Sequence, residues 1–178
     1  MQLRSSIAVR LYPRVLETSR AGLHLRQLAP SDAADYYALV QANAGHLTRH
    51  GDYQDEVAAT ADEVTESLAG QDGAQFRFGV FLHGRLIGRA DLIPVDPPRF
   101  GLGYWLSEDA TGNGYAGAAV GALLDHARAV HGATDVFAGV THGNRPSEAL
   151  LHRLGFTVVA DLGTYNRFHL ALGQVTVR

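Results

Sequence analysis

Apolar and polar residues change period several times along the chain, and each change marks an element. Leu23-His24-Leu25-Arg26-Gln27-Leu28 alternates, as a half-buried strand does, and is the first expected strand. Pro30-Ser31-Asp32 supplies a turn and an N-cap, predicting a helix to about Ala42. A polar segment from Asn43 to Gly70 follows, with a second helix predicted over Val57 to Leu68. Phe76 to Leu82 and Arg85 to Ile93 form two strands joined at His83-Gly84. Pro94, Pro97 and Pro98 then lead to a strand ending Leu102-Gly103-Tyr104-Trp105-Leu106. Next, Ala116, Ala119, Val120, Leu123, Leu124, Ala127 and Val130 recur at helical spacing and predict one long helix to near His131. Asp135 to Val140 is a short buried strand, and Pro146 to Leu154 is a helix stopped by Gly155. Phe156 to Val159 and Tyr165 to Leu172 are the last strands. Ile7, Val9 and Leu11 alternate before Pro13, so residues 1–21 read as an N-terminal extension that pairs with a sheet edge or a partner. The domain proper spans 22–172, and 173–178 is a tail.

Chemistry concentrates between the Trp105 strand and the long helix. There Ser107 to Gly117 makes a glycine-rich turn, with Gly112 and Gly114 free to bend sharply. Such a turn leaves amide N–H groups unpaired where the positive end of the helix dipole also points, which suits a diphosphate. The same two glycines also fit a plain strand-to-helix loop. A dinucleotide fingerprint is absent, since no third glycine follows at the right step. No Gly-Lys-Ser/Thr follows either, which excludes a Walker loop.

Composition narrows the setting. The 178 residues suit one domain with its own core. A net charge of -3 offers no electrostatic case for nucleic acid or an anionic membrane. No apolar run approaches the ~18 residues of a spanning helix, and no signal-peptide core is present. With no cysteine, disulfides, thiolate metal sites and a cysteine nucleophile are all excluded. The nine histidines make no helical metal pair, so no metal is expected. A cytoplasmic location is the default expectation.

Four motifs in order resemble the GNAT N-acetyltransferases, most closely the RimJ/RimL-type branch that acetylates protein N-termini and related amines. They are Gly103-Tyr104-Trp105-Leu106, Gly112-Asn113-Gly114-Tyr115-Ala116, Asn144-Arg145-Pro146-Ser147 and Arg153-Leu154-Gly155-Phe156. The resemblance covers about residues 22 to 172. It implies an α/β (α+β) fold whose central, mostly antiparallel mixed sheet is splayed between strands 4 and 5 and flanked by helices. It implies acetyl-CoA as cofactor, with the diphosphate on Thr111, Gly112, Asn113, Gly114, Tyr115 and Ala116. The pantetheine arm would lie along Trp105 and Leu106, with Asn144 and Ser147 also binding. The family's phosphate motif, Gln/Arg-x-x-Gly-x-Gly/Ala, is met at Gly114 and Ala116, but its first place holds Thr111.

The resemblance also distributes the catalytic roles. The tyrosine that often acts as general acid has its place at Leu151, and Ser147 matches the serine that takes this role in the RimL-type branch. The glutamate that often acts as base has its place at Gly101, leaving His142, Glu108 or direct loss of the proton to solvent. The acceptor is then a primary amine, a peptide or protein N-terminus or a small amine such as an antibiotic. Its wall is expected among His46, Arg49, His50, Asp52, Tyr53, Asp55 and Glu56, which also fit a solvated helical face, and Asp91 faces either the acceptor side of the sheet or solvent. A homodimer is common in the branch. A non-catalytic acyl-CoA-binding regulatory module is the rival from another class.

Overall fold

The structure, a computed structural model, describes residues 15–70 and 76–173. Its elements begin with β1 (Val15–Glu17), β2 (Leu23–Gln27), α1 (Ala33–Ala42), α2 (Ala44–Leu47), α3 (Gln54–Ala58) and α4 (Ala61–Ala69). Three strands in succession follow: β3 (Phe76–Leu82), β4 (Arg85–Asp96) and β5 (Arg99–Leu106). The rest are α5 (Tyr115–His131), β6 (Asp135–Thr141), α6 (Arg145–Arg153), β7 (Thr157–Asp161) and β8 (Tyr165–Ala171). The strands form one 8-stranded sheet in the order β1-β2-β3-β4-β5-β6-β8-β7. Every pairing is antiparallel except β5 with β6, because α5 carries the chain over the sheet between them.

This is the mixed, mostly antiparallel α/β architecture expected. Since Val15–Glu17 adds a strand ahead of the expected first one, the predicted splay between strands 4 and 5 falls between β5 and β6. Strand β1 lies inside the stretch read as an extension. It pairs with β2, setting Leu16 opposite Leu25 and burying both. Three residues are too few for alternation to reveal. The Ile7 to Leu11 pattern lies outside the described residues.

The helix predicted over Val57 to Leu68 is two helices. Ala59 is extended (ψ 142°) and Thr60 caps α4, accepting from the Glu63 N–H while the Glu63 carboxylate accepts from the Thr60 N–H at 2.8 Å. That reciprocal capping box starts a helix wherever it falls, whatever apolar periodicity surrounds it.

Strand alternation sorts the core onto the two faces of the sheet. One face packs Leu102 and Leu106 against Val120 and Leu123 of α5 and Leu151 of α6. The other packs Trp105 against Tyr36 and Val40 of α1 and Leu68 of α4. Helices therefore cover both sides of β5, and its residues reach either core depending only on parity.

At the β4–β5 contact, Gly88 stands opposite Leu106. A Cβ on Gly88 would lie 2.2 Å from the Trp105 carbonyl oxygen and 2.9 Å from Leu106 Cα, backbone atoms that no rotamer change can move. Gly88→Ala is expected to cost roughly 1–3 kcal/mol by overpacking, seen as a lower urea midpoint with an unchanged slope.

Candidate functional site

The site grows from an incomplete pairing. β5 and β6 are in register only from Arg99↔Asp135 to Leu102↔Ala138, and beyond that they diverge. The Ser107 N–H donates to the Ile87 carbonyl of β4 at 2.7 Å. By alternation, the Trp105 peptide groups also face β4, whereas those of Tyr104 and Leu106 face the gap. The gap opens into a cleft of about 920 Å³ lined by Leu102–Leu106, by the turn leading into α5 and by α6. One edge group in it is already satisfied: the Tyr53 hydroxyl donates to the Tyr104 carbonyl at 2.9 Å.

At one end of the cleft stands the glycine turn. Gly112 (φ 76°) and Gly114 (φ 77°) both occupy the left-handed region, where a side chain is strained. Gly114 is the N-cap of the 17-residue α5, and no side chain among the described residues caps that helix. Its first-turn N–H groups thus have no helical acceptor and face an opening toward which the dipole is positive. Among the described residues, no atom beyond the adjoining backbone lies within 4 Å of where a Cβ on Gly112 or Gly117 would sit, so the cradle has room. The Thr111 hydroxyl folds back within the turn, donating to the Glu108 carbonyl at 2.7 Å. The Asn113 carboxamide donates to the Thr111 carbonyl at 2.9 Å and stands outside the cleft wall. A side chain from elsewhere reaches the second glycine: Arg20 Nη2 lies 2.8 Å from the position of a Gly114 Cβ.

At the other side of the gap, α6 presents Ser147 and Asn144. The Asn144 side-chain oxygen caps α6, accepting from the Ser147 N–H at 3.3 Å. Ser147 Oγ lies 2.6 Å from the Tyr104 hydroxyl, so a hydrogen bond joins β5 to α6 across the opening. Burial raises the Tyr104 pKa, against the opposing effect of the Ser147 contact, and keeps the phenol protonated at neutral pH. Tyr104 was expected only as part of a motif. Its proximity to Ser147 depends on the sheet opening, which no local pattern encodes.

The polar segment forms the third wall. His46, Arg49, His50, Asp52 and Tyr53 line the cleft, and Asp55 and Glu56 do not. The Asp52 carboxylate accepts from the Thr141 hydroxyl, linking this segment to β6. Glu56 lies instead in a buried cluster behind β5. There Arg89 Nη1 donates to Glu56 Oε1 at 2.7 Å and to the Tyr36 hydroxyl at 2.6 Å. Arg89 Nε lies 2.8 Å from Asp91 Oδ2, near enough for an ion pair but not aligned as a hydrogen bond. Asp91 Oδ1 has no partner among the described residues. Burial pushes the Asp91 carboxyl up to about 6, although Arg89 opposes the shift. Burial also disfavours the Arg89 charge, but Asp91, Tyr36 and Glu56 around it keep it protonated.

The remaining expected residues divide. Leu106, Thr111, Gly112, Gly114, Tyr115, Ala116, Asn144 and Ser147 all line the cleft, and so does Trp105, although its indole is buried beside Tyr36. Glu108 lines it too, its carboxylate held ionised by the Arg49 hydrogen bond at 2.6 Å. His142 stands outside the cleft wall, with Nε2 3.0 Å from Asp161 Oδ1. The turn after β6 carries its imidazole toward β7, so this expected base is not brought to the site.

A sheet opened at its single parallel pair, with an uncapped glycine-led helix at the opening, is the architecture of an acetyl-group transferase. The chain belongs to the GNAT acetyltransferase family, whose domain model matches residues 22–157. Comparison with curated protein sequences gave no match. Among solved structures, RimJ from Mycobacterium smegmatis in complex with CoA-disulfide is similar with a TM-score of 0.77 and 21% identity, covering 90% of this chain and 88% of that one. The Salmonella typhimurium acetyltransferase that modifies the N-terminal serine of L7/L12 gives 0.73 and 20%, over 89% and 99%. The Vibrio fischeri ribosomal-protein-S5-alanine acetyltransferase gives 0.75 and 18%, over 87% and 96%. At these identities the likeness establishes the fold.

Acetyl-CoA is the cofactor of this class, and the cleft fits it on its own geometry. The open glycine cradle suits a diphosphate, and the unpaired β5 edge suits amides laid down as an extra strand. Gly114→Glu would place a carboxylate against Arg20 and in the anion's place. Calorimetry is expected to find no coenzyme A binding, with the far-UV circular dichroism unchanged.

The Asp91 carboxyl is expected to titrate near pH 6, followed by carbon-detected NMR and absent in Asp91→Asn. Because its folded value lies above the ordinary 3.8, the folded state keeps this proton longer than the unfolded one. The associated stability is complete below about pH 4 and is lost as pH rises through about 6.

Proposed function

We propose that the protein transfers an acetyl group from acetyl-CoA to a primary amine by direct attack within a ternary complex, with a peptide or protein N-terminus as the preferred acceptor class. One observation carries the reading. The opened strand pair has the glycine cradle at one end and the Tyr104–Ser147 hydroxyl pair beside the polar wall at the other. The similarity to a transferase that modifies the N-terminal serine of L7/L12 supports the acceptor class.

When bound, the cofactor supplies a thioester carbonyl and a thiol leaving group. The chain's part is to orient, polarise and move protons. The Leu106 N–H, pointing into the gap, is placed to donate to the carbonyl oxygen, where a fixed dipole favours the developing charge. Ser147, bonded to Tyr104, is the group to protonate the departing thiolate. The amine must arrive neutral. Glu108 and His46, 3.8 Å apart on the wall, are the groups to take its proton through water.

The rival reading, a non-catalytic acyl-CoA-binding module, has its own observation. Leu151, at the place of the family's usual tyrosine, is fully buried. The two readings separate in one experiment, calorimetric titration with acetyl-CoA followed by a free-thiol assay against N-terminal peptides and small amines. Binding with thiol release is expected, strongest with peptides. Binding without release would favour the module, and release with small amines only would move the acceptor class. Ser147→Ala is expected to lower kcat about 100-fold while leaving the acetyl-CoA affinity near that of the unsubstituted protein.

A further inference from the structure

The glycine turn of this chain lacks the long polar side chain with which its family motif begins. Thr111 stands in that place, and its hydroxyl is committed to the Glu108 carbonyl. Asn113, the other polar side chain of the turn, is folded back on the Thr111 carbonyl. Backbone N–H groups alone therefore face an anion from this element. A diphosphate carries more charge than helix-terminal dipoles usually neutralise, and a cation nearby adds charge-assisted hydrogen bonds.

Arg20 supplies that cation from outside the turn. It sits in the hairpin between β1 and β2, and its guanidinium lies over Gly114. Both residues line the cleft. The guanidinium has no carboxylate within ion-pair distance among the described residues. By contrast, Arg49, also in the cleft wall, is paired with Glu108.

The hairpin that carries Arg20 is rigidly held. Thr18 Oγ1 donates to the Leu23 carbonyl at 2.8 Å and accepts from the Arg20 N–H at 3.1 Å. The Leu23 N–H donates to the Arg20 carbonyl at 3.1 Å, and the His83 N–H donates to the Gly22 carbonyl at 2.8 Å. Gly22, in the left-handed region, lies against the His83 ring, which a Cβ there would approach to 2.2 Å. The Arg20 backbone is thus fixed before any ligand arrives, so less freedom is lost on binding.

We infer that Arg20, presented by the N-terminal hairpin, holds the diphosphate of coenzyme A together with the Gly114–Gly117 amides, replacing the side chain that Thr111 cannot provide. The inference rests on the cofactor reading above. It makes the hairpin ahead of the matched family region part of the donor site.

Calorimetry with coenzyme A, dephospho-coenzyme A and pantetheine on the full chain, unsubstituted and as Arg20→Ala and Arg20→Lys, tests it. Arg20→Ala is expected to bind both diphosphate ligands roughly 10-fold to 100-fold more weakly, by the same factor, with pantetheine unaffected. Added salt should weaken its binding less steeply than that of the unsubstituted protein. Arg20→Lys should recover part of the loss, because a point charge remains while the planar fork does not. Arg20 is exposed on the surface, so an unchanged melting temperature is expected. Equal coenzyme A affinity in Arg20→Ala and the unsubstituted protein would overturn the assignment and leave the cofactor reading intact. A loss confined to coenzyme A and absent with dephospho-coenzyme A would move Arg20 to the 3′-phosphate and overturn the diphosphate contact. Absence of coenzyme A binding by the unsubstituted protein would remove the cofactor reading itself, and this inference with it.

Discussion

Everything in this molecule depends on the parting of β5 from β6 after Leu102 and Ala138. Parallel pairing needs both strands to keep one spacing. These strands instead stay with their outer neighbours, β5 with β4 and β6 with β8. The parting leaves peptide groups on this edge of β5 without sheet partners, and such groups need another acceptor or donor. Tyr53 supplies one at the Tyr104 carbonyl. The rest of that edge is held ready for an extended ligand, and the same gap that weakens the sheet makes the site.

The two halves of the sheet stay in place because each has other support. Tyr104 with Ser147, and Thr141 with Asp52, tie the halves together across the opening. The cleft is consequently a fixed feature of the folded chain, bordered by α5 on one side and α6 on the other. Its charge is uneven. The cradle end combines an uncapped helix with Arg20, and the rest of the wall carries Asp52, two histidines and the Arg49–Glu108 ion pair.

Much of this was legible in the chain. The long helix was visible because seven apolar residues repeat at one period, and the strands were visible because they alternate. Gly112 and Gly114 were readable as a turn, since their residue type permits positive φ. Three features were not legible, for different reasons. β1 has three residues, too few for any period. The break between α3 and α4 was written in Thr60 and Glu63, but the surrounding apolar spacing masked it. Arg20 and Tyr104 gain their meaning from partners 94 and 43 residues away along the chain, and only the assembled sheet brings such pairs together. His142 illustrates the reverse: it follows the right strand, but its side chain is drawn to Asp161.

The buried Arg89 has a consequence for how this fold can change. Its guanidinium holds Glu56 of α3, while Tyr53, one residue ahead of that helix, is bonded to the Tyr104 carbonyl. The polar segment from α2 to α4 is thereby docked on the sheet through these two neighbouring residues, as well as through Asp52 on Thr141, Arg49 on Glu108 and the packing of Leu68 with Trp105. The segment is therefore held by both halves of the parted sheet at once, since Tyr53 reaches β5 and Asp52 reaches β6. Loosening either contact would be felt in the cleft itself, because both residues belong to its wall.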